Sequence, residues 1–581
     1  MRGSSGFRSV AVRYGTTGQT IVRWDTGAAA LRRFLFSTLY SLMAVAAGLL
    51  AIRFVVGPFR SILVTVQSPV NAAGIVAVAF VLLTLSGAAG VQPIRLAIVR
   101  SPKEPPAVAL QMKDWTILAV VAAATAIAFW RNLGSPFVFD DYKLLGDASH
   151  ATWRILVDTF KPEPGRHDLF FRPVGLIPYW LDYQWGGVAV RRWHLCSLAV
   201  HATNSCLLYL LVRRLPMGRI AALVAALLFA LHGSRAETVA WTAAGFDLLA
   251  AFFVFGALLA VREHCRTGRR AFYLPIAACA VLAVYTKESA FCLPLLPATL
   301  LPFLQREERR RAIQASLVLA SICALLFVYR WYAIAGIGGY IDSTGARAVL
   351  HSAPLKLSEA LFYRQWAFLF FPVNWSAPQE WWLRASAVLF IAVLVVCAGR
   401  CAASRAHLLA GIAFVLAAAL PVQHLLLLSL DFAGARMLYL PVAGLAIFWG
   451  ALLERAAHSK LRWTMAAVLI AFNLAALQHN LGPWRTTPAA AAAVCRALGS
   501  ELAADPRPVS VSDLPYKQQG VFFLLNGFPE CVAMNSGQPA SRVHVLPQTP
   551  ESPPPGERLF VWKPERGSLE ELGRALSPAK P

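Results

Sequence analysis

Charge is scarce in this chain. Only 14% of its 581 residues are Asp, Glu, Lys or Arg, against about 25% in a soluble globular protein. With 57% hydrophobic residues, that scarcity excludes a water-soluble enzyme and implies a polytopic membrane protein. Acid is the rarer sign: 30 Asp and Glu face 54 Lys and Arg, a formal net charge of +24. No basic–aromatic module accompanies the excess, so nucleic acid is not a partner. The positive charge instead marks loop orientation and favours anionic headgroups or lipid phosphates.

Motifs for the commoner cofactors are missing too. There is no HExxH, no Walker loop and no Rossmann glycine pattern on a strand-to-helix turn. No motif calls for a cofactor, and a divalent metal has no ligand pattern to support it. The ten cysteines show no metal spacing. Cys196, Cys206, Cys279 and Cys323 sit in apolar helices, where the side chain packs as a small hydrophobe. Cys495 and Cys531 fall in the tail, where a disulfide is open but not fixed by the spacing.

What is abundant is apolar helix. Residues 1–33 form a basic arm, too long and charged for a cleaved signal peptide and expected in the cytoplasm. Residues 34–106 read as a two-helix hairpin, Phe34–Val56 and Val70–Ala89, followed by a Pro-rich linker. The main unit, 107–481, begins with Trp115–Leu133. It continues with spans near Trp193–Val212, Arg219–His232, Ala243–Val261, Ala271–Tyr285, Ala290–Leu304, Ala312–Ala333, Leu383–Ala398, His407–Leu428, Met437–Leu453 and Trp463–His479. That makes roughly thirteen spans, about eleven of them in the core. Arg213/Arg214/Arg219, Arg262/Arg266/Arg269/Arg270, Arg306/Arg309/Arg310/Arg311, Arg400/Arg405 and Arg455/Lys460/Arg462 fall on one side if the spans alternate. The positive-inside rule makes that side cytoplasmic. Loops 134–192 and 334–381 are then external, and so is the tail, 482–581. In the tail a helix at Pro488–Ala504 and strands at Val509–Val511, Val521–Leu525, Val543–Leu546 and Leu559–Trp562 suggest a small α/β domain. The expected fold is an all-α polytopic membrane protein with this small domain at its C-terminal end, in a bacterial inner membrane with the tail in the periplasm.

The chain reads as organised around Phe137-Val138-Phe139-Asp140-Asp141-Tyr142. Two adjacent carboxylates stand just past a membrane exit, where the cost of burying charge in hydrocarbon falls away. The alternative is a pair of solvated loop charges. Other polar residues are poorly explained by helix packing. Lys287 and Glu288 lie between two spans: a local ion pair in a turn, or a lysine meeting a phosphate with Glu288 orienting it. Arg436 lies at an expected external helix start and suits an anion. Arg172 opens an interfacial helix as a phosphate contact or a snorkelling anchor. Glu237 and Asp247 flank another span end. His232 near them reads as a hydrogen-bonded structural residue rather than a ligand. His194, His201 and Asn204 share a helix face, an interhelical polar seam.

In order, Phe139-Asp140-Asp141-Tyr142, Phe171-Arg172-Pro173, His201…Asn204, His232…Glu237-Thr238-Val239-Ala240-Trp241…Asp247, Lys287-Glu288, Phe371-Pro372-Val373-Asn374 and Arg436-Met437-Leu438-Tyr439-Leu440-Pro441 form a set. Over about residues 115–480 this set resembles the transmembrane-and-TPR-containing protein O-mannosyltransferases, GT-C-fold glycosyltransferases that use polyprenyl-phosphate sugars. The chain departs from them at Gly233 (the family tends to proline), at Phe246 (often arginine) and in lacking the TPR array.

The resemblance implies an inverting, single-displacement transfer of a sugar, mannose in the family, from a polyprenyl-phosphate donor to an acceptor hydroxyl on the external face. The acceptor, a protein or a glycolipid, is left open. It implies a first-loop carboxylate as base, Asp141 ahead of Asp140. Donor phosphate falls to Arg436, Lys287 and Arg172, and acceptor or sugar to Glu288, Glu237, Asp247, His232 and Tyr439. Two other classes stand beside it: a lipid or sugar transporter, and a non-catalytic membrane assembly protein.

Overall fold

The computed structural model describes residues 59–60, 65–66, 110–162, 170–336, 338–339, 364–374, 387–388, 390, 392, 405–421, 428–454 and 459–572. The chain divides into Met1–Pro106 and Ala107–Pro581. In the first unit the described residues form one antiparallel ladder, strand β1 (Phe59–Arg60) with β2 (Thr65–Val66). The basic arm, the expected spans of the hairpin, most of loop 334–381 and most of the span at Leu383–Ala398 lie outside the described residues.

The second unit is mostly helical. Its principal helices are α1 (Met112–Phe129), α2 (Asp140–His150), α3 (Pro173–Gly186), α4 (Val190–Arg213), α5 (Arg219–Leu231), α6 (Arg235–Ala240), α7 (Gly245–Thr267), α8 (Tyr273–Thr286) and α9 (Arg306–Ala333). They continue with α10 (Arg405–Ala419), α11 (Pro441–Glu454), α12 (Ser459–Leu481), α13 (Pro483–Ala504) and α14 (Phe528–Ser536). Among the described residues five helical stretches are long and apolar enough to cross a membrane: 112–132, 190–213, 242–267, 306–333 and 463–504. With the composition, this makes the chain an integral membrane protein.

One expected span is broken. Residues 290–304 fold as short turns around the four-residue helix Leu296–Thr299. Pro294, Pro297 and Pro302 remove amide donors at close intervals, which no continuous α-helix tolerates.

The apolar faces bury one another, and the polar residues inside are tied across helices. His201 on α4 shares a hydrogen bond between Nδ1 and the Tyr439 hydroxyl (2.8 Å), and Asn204 donates to the same hydroxyl (3.0 Å) and to Leu248 O (2.8 Å). His201 and Asn204 thus form the polar seam expected of that face, whereas His194, expected in it too, meets Ser135 O (2.9 Å) in the loop after α1. At the opposite end of α4, Tyr209, Arg213 and Arg219 converge on buried Asp114 at the start of α1. Arg214 pairs with Glu263, and Arg262 with Glu308, at the same end.

The C-terminal part is α/β. Strands β3 (Val509–Ser512), β6 (Val543–Leu546), β7 (Arg558–Lys563) and β8 (Ser568–Glu571) form a sheet in the order β6-β3-β7-β8, with β3 parallel to both neighbours and β8 antiparallel. The Cys495–Cys531 disulfide joins α13 to α14. The expected strand at Val521–Leu525 does not join that sheet. Val521–Phe522 (β5) instead pairs with Lys517–Gln518 (β4) in a separate hairpin, carried away from the sheet by its contacts with the helical core.

Candidate active site

The site is built where α1 ends. Phe139, the residue before α2, has φ 53°, a left-handed conformation that costs a side-chain-bearing residue about 1–3 kcal/mol. The turn is held by aromatic packing. Phe139 stacks on Phe522 (5.1 Å between centroids, 27° between planes) and meets Trp241 and Tyr516.

The turn gives the two carboxylates unlike environments. Asp141 is 2% exposed, and its oxygens accept from Val138 N (3.1 Å) and Ala243 N (2.7 Å). Burial pushes its carboxyl up to about 8, the amides opposing that rise and Asp140 adding to it. Asp140 is half-buried at the N-terminus of α2 and accepts from the Asn526 side-chain amide. Burial raises it above the usual carboxylate range, against Asn526, Arg436, Lys143 and Arg172.

The three expected phosphate cations are all present, and each is paired with an expected sugar or acceptor carboxylate. Arg436 pairs with Glu237, which also accepts from the Arg436 amide (3.2 Å). Lys287 Nζ lies 2.5 Å from Asp247 Oδ2. Arg172 donates to Glu288 Oε2 through Nε (2.9 Å) and Nη2 (2.7 Å), and Arg330 Nη2 stands 3.7 Å from Oε1 of the same carboxylate. A sequence reading finds neither this matching nor Arg330, since partners 116 and 199 positions apart leave no local pattern.

Burial sets the protonation of these groups. It lowers Lys287 to about 8, partly offset by Asp247 and reinforced by Arg172 and Arg436. Burial would raise Glu288, yet Arg172 and Arg330 hold it below its ordinary value. Glu237 is raised by burial despite Arg436. Asp247 and Arg436, one member from each of two pairs, line a cavity of about 10 Å³, room for a single water.

Arg436 is not at the start of a long helix. It lies in the short turn Ala435–Leu438 before α11, with its guanidinium 4.8 Å from the Trp241 centroid. Tyr439, expected at the acceptor or sugar, is 2% exposed; its hydroxyl belongs to the polar seam and its side lines the small cavity with Asp247 and Arg436. His232 joins Ser234 Oγ (2.9 Å) and Leu369 O (3.0 Å) as a structural residue, and it borders an apolar cavity of about 240 Å³ with Leu228, Phe371, Trp449 and Phe472. Among the described residues no group of His, Cys, Asp or Glu could hold a metal ion.

No family model matches the chain. It is 28% identical to protein O-mannosyl-transferase Tmtc1 of Drosophila melanogaster over 196 residues, 32% of this chain and 23% of the relative. It is also 28% identical to mouse TMTC3 over 158 residues, 26% of this chain and 17% of that protein. The chain resembles the TMTC protein O-mannosyl-transferases. The alignment thus spans about a fifth of the length of these curated relatives.

Two solved structures align at lower likeness. The archaeal oligosaccharyltransferase AglB from Archaeoglobus fulgidus, in complex with an inhibitory peptide and a dolichol-phosphate, aligns at 10% identity with a TM-score of 0.38, over 74% of this chain and 64% of that one. ArnT from Cupriavidus metallidurans bound to undecaprenyl phosphate aligns at 14% identity with a TM-score of 0.33, over 76% and 87%.

Both departures from the TMTC pattern have a local setting here. A Cβ at Gly233 would stand 2.2 Å from Pro372 O, so the tight approach of the two backbones, each bonded by Asn480, admits only glycine. Phe246 lies under the Arg172 guanidinium, 5.5 Å away, and supports it from below.

Proposed function

We propose that the chain is a membrane glycosyltransferase. It would move a sugar, mannose by analogy with the TMTC relatives, from a polyprenyl-phosphate donor to an acceptor hydroxyl on the extracytoplasmic face. The reaction is a single displacement. The acceptor oxygen bonds to the anomeric carbon, the bond from that carbon to the phosphate oxygen breaks with its electron pair leaving on phosphate, and the acceptor proton passes to a carboxylate.

Asp140, not Asp141, is assigned as that base. The observation that carries the reading is the contrast between the two. Asp141 is sealed behind backbone amides, whereas Asp140 stands half-open in the field of Arg436 and Arg172. Its raised pKa makes it a stronger base than an ordinary carboxylate, and Arg436, Lys143 and Arg172 favour its charged form. Arg172 is the cation best able to turn to the donor phosphate, because Arg330 can keep Glu288 neutralised when it moves. Arg436 and Lys287 add positive potential where phosphate charge develops. Glu237, Asp247 and Glu288 then orient the cations rather than touch sugar.

The test is transfer of labelled mannose from polyprenyl-phosphate mannose by the full chain in lipid nanodiscs. Asp140→Asn is expected to lower the rate by about 100-fold or more, the range of lost general-base catalysis. Undiminished transfer by this variant would overturn the assignment.

A further inference from the structure

The second hairpin of the C-terminal part belongs to the site, not to its own sheet. Lys517 on β4 pairs with Asp431 (2.6 Å) and donates to Ser429 Oγ (3.1 Å). The carbonyl of Gln519 at the turn accepts from Asn374 (2.8 Å). Phe522 on β5 covers Phe139 and Trp241 and lies 5.6 Å from the Arg436 guanidinium. Four residues on, the Asn526 side-chain amide donates to Asp140.

Gly527 makes that approach close. It has φ +76°, and a Cβ there would stand 2.3 Å from Phe139 O. Four core segments, at 139–140, 241, 374 and 429–436, therefore hold one tail segment at the strained turn that presents Asp140.

We propose that the C-terminal domain completes the active site, with Asn526 as a positioning residue for Asp140. The proposal rests on the reading in which Asp140 is the base, but its test needs no sugar transfer. Asn526 fixes the carboxylate by donating to one oxygen, which leaves the other to accept the acceptor proton. The charged groups facing Asp140 are Lys143 and Asp141 on its own helix, Arg172 at the start of α3 and Arg436 in the turn before α11. Glu530 of α14 faces Asp147 instead. Removing the Asn526 donor while leaving these in place makes Asp140 hold its proton to higher pH.

Dicyclohexylcarbodiimide labels protonated carboxyls in apolar surroundings, so its reaction at Asp140 falls as the group ionises. Labelling of Asp140 and Asp147 in the full chain in nanodiscs, read by peptide mass spectrometry from pH 4 to 9, gives a midpoint for each. Asn526→Ala is expected to move the Asp140 midpoint up by roughly half a pH unit, the scale of one partly exposed bond to a charged group, and to leave Asp147 unmoved. Asn526→Ser, which keeps a donor, is expected to return the midpoint towards that of the unaltered chain. An Asp140 midpoint unchanged in Asn526→Ala, or a shift shared equally by Asp147, overturns the proposal. Absent transfer by the unaltered chain would sink the transferase reading while these midpoints still decide the role of Asn526.

Discussion

At the scale of single residues, two adjacent aspartates are made unlike by a few ångströms of backbone. The left-handed Phe139 turns Asp141 inward onto Val138 N and Ala243 N and leaves Asp140 at the mouth. Asp141 is raised from 3.8 to about 8, so the folded chain keeps a proton that the unfolded chain gives up. Its contribution to stability is full below about pH 4 and is lost as pH rises through 8. Asp141→Asn is expected to flatten that part of the profile of melting temperature against pH. A profile unchanged by the substitution would show that Asp141 ionises normally. Lys287, lowered to about 8, is expected to give the transfer reaction an alkaline limb near that pH as the Asp247 pair loses its cation. Lys287→Arg, which stays charged, should push the limb upward, and rate against pH for the two proteins checks it. Neither environment can be read from Asp-Asp or Lys-Glu as written, because burial and the deciding partners, Val138 apart, come from residues 40 to 386 positions away.

At the scale of elements, the hairpin β4–β5 is the piece that local pattern misassigns. Val521–Leu525 is a short apolar run of the kind a sheet strand shows, yet Phe522 packs on Phe139 and Trp241. The C-terminal part is thereby two things: a disulfide-bearing α/β layer and a strap on the core. Gly527→Ala should lift the strap, since the added carbon meets a carbonyl oxygen rather than a flexible side chain. The expected result is lost transfer with the chain still folded, and limited proteolysis at residues 515–527 should become faster. Cleavage at an unchanged rate would show that the strap does not depend on that contact. The Cys495–Cys531 bond closes a 36-residue separation, for which loop-closure entropy gives about 3–4 kcal/mol. Cys495→Ser is expected to destabilise α13 and α14 on that scale, read as loss of amide exchange protection there.

At the scale of the whole molecule, the site and the basic collar lie at opposite ends of the helices. Asp114, paired with Arg213 and Arg219, lies in the first turn of α1, and Asp140 follows the other end of that 18-residue helix, which is about 27 Å long. This separation supports a topology with arginines in the cytoplasm and Asp140, Arg436 and the C-terminal part outside. Cysteines introduced at Asn526 and at Arg266 should then label with an impermeant maleimide from opposite sides of the membrane. Labelling of both from one side would overturn that orientation and the reading of an extracytoplasmic transferase.

The membrane class, most helices of the core and the cast of charged residues are legible in the order of residues, because apolar period, length and spacing are local properties. That order also held the polar seam of His201 and Asn204, which share one helix face. The tertiary structure alone decided which carboxylate is sealed, which acid neutralises which cation, where prolines break a span, and that Asn526 of the tail reaches Asp140. Those outcomes depend on burial and on contacts between distant segments, and such energies exist only once the chain has closed on itself.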